Sequence, residues 1–371
     1  MFKLVPVCLT FVGCILLASC DSVRSPLSSL SADTDIAETD IESARSIAIA
    51  DIRQTLDSLE MEGLYGVAYL TYQDSVVIHE ALGLRDREMR DVMQATTGFD
   101  IGSITKAMTA ATVLKLEEQG QLRLSDTVSR FFPNAPSPLL DVTVTQLMDH
   151  TAGLPEYIGD DDELISKQQV LKRIFEADLL FEPGTKEAYS NTGYTLLAII
   201  VEEVSGKSFE HVLRESILLP AVPQIGYRLA DWESSALAVG YVQGEAQGTP
   251  LDQPWLEDGP SWTLRGNGGL LSTTEDVAKW FEAVFEGRIL GPDALSKFQE
   301  RFAGSGPYGT RIGEAGGDDL TGFNAQHEAW PDVGVSWTLI TSRSDYPAED
   351  IWEDVEESVY KLVEISSLAQ P

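Results

Sequence analysis

Phe99-Asp100-Ile101-Gly102-Ser103-Ile104-Thr105-Lys106 sets a serine behind a strand-like stretch and a glycine, at the start of a helical pattern, with a lysine three residues on. That spacing brings two helical side chains to one face, so hydroxyl and amine can meet. A serine hydroxyl is a poor nucleophile until a neighbouring base takes its proton, and a lysine partly buried beside apolar walls or cations loses enough basicity to do so. Backbone amides at a helix start can also hold an oxyanion. The spacing alone is a weak signal, because Ser358-Val359-Tyr360-Lys361 repeats it inside an acidic C-terminal helical pattern. Context separates the two: Ser103 follows Gly102 and is succeeded by small residues that let a helix pack deeply.

Upstream, a short helix from about Ser46 to Glu60 leads into Tyr65 to Leu70 and Ser75 to Glu80, two alternating runs about Gln73-Asp74 that read as a β-hairpin. Downstream, Ile104 to about Tyr227 is helical in pattern, with Ala107, Ala111 and Leu114 on one face before a stop at Gly120, and Leu196 to Val204 before a stop at Gly206. Beyond Gly266 the pattern alternates again: a strand near Gly269 to Ser272, a helix over Thr274 to Phe285, strands through Val333 to Thr341, and a last helix from Glu349 to about Ile365. The fold class is therefore α/β of the α+β type, an antiparallel sheet flanked by helices with an inserted all-helical region. The domain is expected over 46–368, its sheet part about 46–101 and 228–368 and its helical part about 102–227, with a cleft between the two.

The 371 residues are 43% hydrophobic, ample for a core, while 59 acidic against 26 basic residues give a formal charge of -33. Such a charge repels nucleic acid and anionic headgroups, and reads as a solvated acidic surface. Met1, Phe2 and Lys3 precede an apolar run from Leu4 to Leu17 that ends in Leu17-Ala18-Ser19-Cys20. The run contains Pro6 and is shorter than the ~20 residues of a membrane-spanning helix, so 1–19 reads as an export signal with a lipobox. Residues 20–45, rich in Ser, Asp, Thr and Ala, read as a flexible tether. With Cys8 and Cys14 removed in the signal, no cysteine pair remains for an internal disulfide.

Tyr189-Ser190-Asn191, between Phe181-Glu182-Pro183-Gly184-Thr185 and another helical run, is a loop that presents a tyrosine and an amide. A tyrosine hydroxyl near a lysine can be held partly as phenolate and relay protons, and the amide can orient Lys106 and hydrogen-bond substrate. Together these residues resemble the penicillin-binding-protein and serine β-lactamase family, in particular its class C β-lactamase, D-Ala carboxypeptidase and esterase branches. The resemblance covers roughly Gly63 to Ile365, including GSITKAMTAATVLKLEEQGQLRLSDTVSRFFP, the MDHTAGLP segment around His150, FEPGTKEAYSNTGYTLLAIIVEEVSGKSF and GNGGLLSTTEDVAKW. It implies an acylated nucleophile at Ser103, proton transfer shared by Lys106 and Tyr189, substrate positioning by Asn191, and a supporting turn at His150. The signal is similar to bacterial lipoprotein signals, which implies cleavage before a lipidated Cys20 and membrane anchoring in the cell envelope or periplasm.

The family's third motif is Lys or His, a small residue and Gly on a strand lining the cleft; the aligned stretch is Gly313-Glu314-Ala315-Gly316-Gly317. Gly316 and Gly317 still permit close backbone approach, so the Gly317 amide is expected to complete an oxyanion hole with that of Ser103. Glu314 stands where a base is expected, and an ionised Glu314 repels a substrate carboxylate by about 4 kcal/mol at 4 Å for an effective dielectric of ~20. Arg311 lies on the opposite face of a regular strand, and pairs with Glu314 only through a bulge.

The expected function is an exported serine hydrolase acting through an acyl-enzyme on ester or amide substrates, D-amino-acid peptides and β-lactam-like compounds included. No cofactor and no metal is called for, since His79, His150, His211 and His327 are scattered without ligand spacing. An α/β-hydrolase is disfavoured by the lack of a Gly-x-Ser-x-Gly elbow. The alternative is a catalytically impaired, penicillin-binding-like envelope binding protein, a reading motivated by Glu314.

Overall fold

The computed structural model describes residues 38–368 apart from 74, 162, 219–221, 223, 318 and 319. The expected signal peptide, the expected lipidation site at Cys20 and the expected tether up to residue 37 lie outside those residues. Helix α1 (Glu38–Glu62) is followed by strands β1 (Gly66–Tyr72) and β2 (Ser75–Leu82) and the two-residue β3 (Phe99–Asp100). The helical insert holds α2 (Thr105–Glu118), α3 (Lys167–Glu176) and α4 (Asn191–Ser205) among shorter turns. Then come β4 (Leu271–Ser272), α5 (Thr274–Phe285), α6 (Pro292–Phe302), β5 (Ala303–Gly306), β6 (Gly309–Gly317), β7 (Asn324–Trp330), β8 (Val335–Thr341) and α7 (Ala348–Leu368).

Among the described residues, β5-β6-β7-β8-β1-β2 form one antiparallel sheet in that order. Successive strand residues point to opposite faces, and both faces are apolar near the centre. Ala68, Leu70, Trp337 and Leu339 turn one way, onto Ile52 and Leu56 of α1 and Val355, Val359 and Leu362 of α7. Val67, Ile312, Ala325 and Ile340 turn the other way, into a core shared with α5 and the helical insert. Within that core Ala107, Ala110, Ala111, Val113 and Leu114 of α2 are all inaccessible to solvent. The small side chains let neighbouring helices close around α2, whose N-terminus carries the Ser103 to Lys106 pair.

The expected hairpin, the helical insert and α5 over Thr274 to Phe285 are all present, and Gly120 and Gly206 end α2 and α4 with positive φ. Two boundaries differ from expectation. Helix α1 begins at Glu38, so Glu38 to Arg45 are helical rather than extended tether, because Ala44 and Ala48 add a turn to the face packed on the sheet. The stretch from about 228 to 265 adds only small hairpins, Gly240–Val242 with Glu245–Gly248 and Trp255–Leu256 with Gly259–Pro260, and no strand of the main sheet.

The face closed by α1 and α7 depends on large side chains such as Trp337, which is wholly buried. Trp337→Ala removes that contact and leaves a cavity, and should lower unfolding free energy by about 3–5 kcal/mol in a denaturant titration.

Candidate functional site

Asp100, at the end of β3, accepts a hydrogen bond at Oδ1 from the Gly102 amide (2.7 Å) and closes a tight turn in which Gly102 takes φ of 51°. A side chain at that left-handed position would be strained. The turn feeds a 3₁₀ segment, Gly102–Ile104, and then α2, so Ser103 stands at a helix entrance beside the sheet, as the sequence implied. Gly316 of β6 packs on this turn: a Cβ there would lie 2.6 Å from the Ile101 carbonyl oxygen and closer still to the Ser103 nitrogen. A Cβ on Gly102 would in turn meet the Gly317 nitrogen at 2.9 Å. The backbone nitrogens of Ser103 and Gly317 are thereby brought together at one edge of the cleft.

Lys106 Nζ donates to Ser103 Oγ at 2.9 Å and to the Asn267 carbonyl at 2.7 Å. It also lies 4.8 Å from the Tyr189 ring centroid and 5.9 Å from that of Tyr194. Tyr189 Oη donates to the same Ser103 Oγ at 2.7 Å. Desolvation dominates at this buried lysine and pulls its pKa down to about 7, although Asp161, Glu314 and Glu156 pull it up. At neutral pH a large fraction of Lys106 is therefore free amine, a form able to take a proton. Tyr189 moves the other way, since burial raises its phenol well above the ordinary value despite the bond to Ser103. This corrects the expected phenolate: Tyr189 is a hydrogen-bond donor here, and Lys106 the available base.

His150 supports the tyrosine. Its backbone is left-handed (φ 55°), its carbonyl accepts from the Ala188 amide at 3.0 Å, and its Nδ1 accepts from the Ser190 amide at 3.0 Å. The ring lies between Tyr189 and Tyr194, with centroids 4.8 and 5.2 Å away. Burial first, and then the charge of Lys106, pull His150 down to about 3, so it stays neutral and its Nδ1 remains an acceptor. The neighbouring Ser190 caps α4 through the Gly193 amide (3.0 Å) and donates to the Pro155 carbonyl (2.9 Å). The Thr192 amide donates to the Glu156 carbonyl (3.2 Å), which ties the segment 155–161 to the site.

Asn191, expected to orient Lys106, does so through no hydrogen bond of its Oδ1, a buried atom without a partner. The carbonyl of Asn267 takes that place, held by Asn267 Nδ2 donating to Thr195 Oγ1 (2.8 Å) and the Thr263 carbonyl (2.7 Å). Thr109 of α2 fixes the same turn by donating to the Gly266 carbonyl (2.7 Å). The Gly266 to Gly269 run signals a turn in the sequence, but its contribution comes from backbone oxygen, which leaves no residue-type signature.

Glu314 is half-buried on β6, opposite His327 in register and two positions before Gly316. It faces the cleft: its charge acts on Lys106, Tyr189 and Tyr194, and its partner His327 stacks on Phe281 of α5 at 4.4 Å on the same side of the sheet. Arg311 points to the other face and pairs with buried Glu328 (Nε to Oε2, 3.1 Å), with no bulge toward Glu314. Burial, then the charge of Glu328, push Glu314 up to about 8 against the opposing effect of Lys106. The fixed negative charge expected from sequence is thus replaced by a carboxyl that largely keeps its proton at neutral pH.

A family model described as Beta-lactamase matches residues 51–338. Penicillin-binding protein 4* of Bacillus subtilis (strain 168) is 30% identical over 231 residues, 57% of this chain and 50% of that one. The putative penicillin-binding protein PbpX of the same strain is 28% identical over 257 residues, 69% and 64% of the two chains. The chain thus spans about half to two thirds of the length of these relatives. Among solved structures, the D-amino acid amidase from Ochrobactrum anthropi SV3 superposes with a TM-score of 0.66 at 24% identity, covering 89% of this chain and 100% of that one. The Beta-Lactamase/D-Alanine Carboxypeptidase from Pseudomonas syringae superposes at 0.68 with 16% identity, covering 88% and 100%. At those identities the likeness is one of fold alone. With the family model covering most of its length, the chain belongs to the β-lactamase family of serine hydrolases.

Proposed function

We propose that this chain is an exported serine hydrolase that acts through an acyl-enzyme on ester or amide substrates. The observation that carries the reading is a buried lysine with a pKa near 7 placed 2.9 Å from a serine hydroxyl that also accepts from a tyrosine. Ser103 Oγ attacks the substrate carbonyl carbon as its proton passes to the neutral amine of Lys106. The developing oxyanion is met by the amides of Ser103 and Gly317. As the tetrahedral intermediate collapses, the bond to the leaving group breaks, and that group departs with a proton delivered from Lys106 directly or through the hydroxyl of Tyr189. Water then attacks the acyl-enzyme carbonyl, giving a proton to Lys106; as the bond between the acyl carbon and Ser103 Oγ breaks, Lys106 returns that proton to Ser103 Oγ and the acid leaves. Asn191, at the start of α4, is proposed to position the acyl group.

The alternative, an envelope binding protein without turnover, is favoured by Glu314 in the third motif. One experiment decides between them: intact-mass analysis after incubation with a fluorophosphonate, a penicillin and an activated ester. The expected outcome is one covalent adduct on Ser103 and none on Ser358, with Ser103→Ala abolishing adduct and turnover while the melting temperature changes little. An inert Ser103 in a folded protein would overturn the hydrolase reading.

Because the working form of Lys106 is its neutral amine, kcat/KM should rise as pH rises through about 7, measured with an uncharged ester so that only the protein titrates. A rate flat from pH 6 to 8 would exclude Lys106 as the base.

Export and anchoring through Cys20 are proposed on the lipobox Leu17 to Cys20. Cys20→Ala should accumulate as unprocessed precursor, and the wild-type protein should partition with membranes; recovery of a freely soluble product cleaved elsewhere would refute the anchor.

A further inference from the structure

The third-motif position holds a carboxyl with no ion pair or hydrogen bond to any described residue, although it faces the Ser103 to Lys106 pair. Its strand fixes where it points. Gly316, two residues on, touches the Ser103 turn, and the parity of β6 puts Glu314 on the same face, next along the cleft wall. The segment 155–161 is tied to the start of α4 by the Thr192 amide on the Glu156 carbonyl and by Ser190 Oγ on the Pro155 carbonyl, and its Glu156 and Asp161 act on Lys106 in the same sense as Glu314. Glu156 and Glu314 also both act on Tyr189. A third acceptor, the buried Oδ1 of Asn191, has no donor among the described residues. Acceptors thus converge on the cleft from β6, the loop and α4, whereas the cation that the carboxyl of Glu314 senses from this side of the sheet is Lys106, a group the proposed chemistry requires neutral.

We propose that Glu314 determines specificity in this cleft, and that its substrates carry a protonated amine beside the scissile carbonyl, as amino-acid amides and esters do. This rests on the serine-hydrolase reading given above. A bound ammonium supplies the counter-ion that a desolvated carboxyl lacks, draws off the proton that burial holds there, and donates to the unsatisfied amide oxygen. A substrate carboxylate meets the negative field of the loop acids, and the cation acting on Glu314 among the described residues is Lys106 alone.

The test compares phenylalanine p-nitroanilide with its N-acetyl and N-succinyl derivatives, each as both enantiomers, so that one acyl group is presented with a cation, without charge and with an anion. For the wild-type protein, kcat/KM should be highest for the free amine. Glu314→Gln should shrink the free-amine to N-acetyl ratio by about tenfold or more, and Glu314→Lys should reverse the order in favour of the succinyl compound. Unchanged ratios in both variants, with Ser103 still labelled by fluorophosphonate, overturn the amine preference while leaving the hydrolase reading intact. Failure of wild-type Ser103 to label overturns both. Should the Glu314 variants not fold by circular dichroism, calorimetry on Ser103→Ala separates the cases: phenylalaninamide binding more tightly than N-acetylphenylalaninamide supports the inference, and equal or reversed affinities refute it.

Discussion

Everything at this site depends on keeping the amine of Lys106 out of water. A lysine in solvent is an ammonium at neutral pH and no base. Here the side chain is 4% exposed, and the loss of hydration outweighs three carboxyl groups acting in the opposite direction. Such burial constrains the surrounding fold. Helix α2 must lie inside the protein along nearly its whole length, which selects alanines and threonines over bulky or charged residues. The amine must keep some partners, or the cost of burying it would be prohibitive. Those partners are the Ser103 hydroxyl, the Asn267 carbonyl and the faces of two tyrosine rings.

The facing strands β6 and β7 carry two glutamates on opposite faces of the sheet, one with an arginine partner and one without such a partner among the described residues. Glu328 has the Arg311 guanidinium at 3.1 Å and yet is pushed up to about 7, burial being its largest influence. Glu314 has no such partner among the described residues and rises to about 8. One residue of strand parity separates a structural pair from a cleft group. A one-residue register slip in β6 would turn Glu314 away from the cleft and Arg311 toward that face, leaving Glu328 of β7 without its partner. The antiparallel ladder with β7 and the glycine contact of Gly316 on the Ser103 turn both oppose that slip.

Side-chain chemistry was largely legible in the sequence, and backbone chemistry was not. Ser103, Lys106 and Tyr189 were found by residue type and spacing, and they converge within hydrogen-bonding distance. The opposite facing of Arg311 and Glu314 followed from the period of a regular strand. Asn267 escaped notice because its contribution is a carbonyl, which every residue possesses. The protonation of Tyr189 was misjudged because proximity to a lysine suggests a stabilised phenolate, whereas the tyrosine is itself buried and the lysine beside it is substantially neutral. The extent of α1 was missed because residues 38–45 have weak apolar periodicity and are helical through packing on the sheet.

The acidity of the chain and the basicity required at its centre are reconciled by position. A formal charge of -33 tends to raise the pKa of any lysine through Coulombic attraction, and a solvent-exposed Lys106 would be still harder to deprotonate in such a field. Water screens distant surface carboxylates, so their influence on a buried point is modest, while the desolvation penalty is local and unscreened. The acids that do reach Lys106 are Glu156, Asp161 and Glu314 of β6. Burial of the amine, with the acids set apart from it, lets the site hold a neutral Lys106 at neutral pH. On the reading proposed above, the same carboxyls that would spoil the base if they lay beside it favour, from the wall, a cationic substrate.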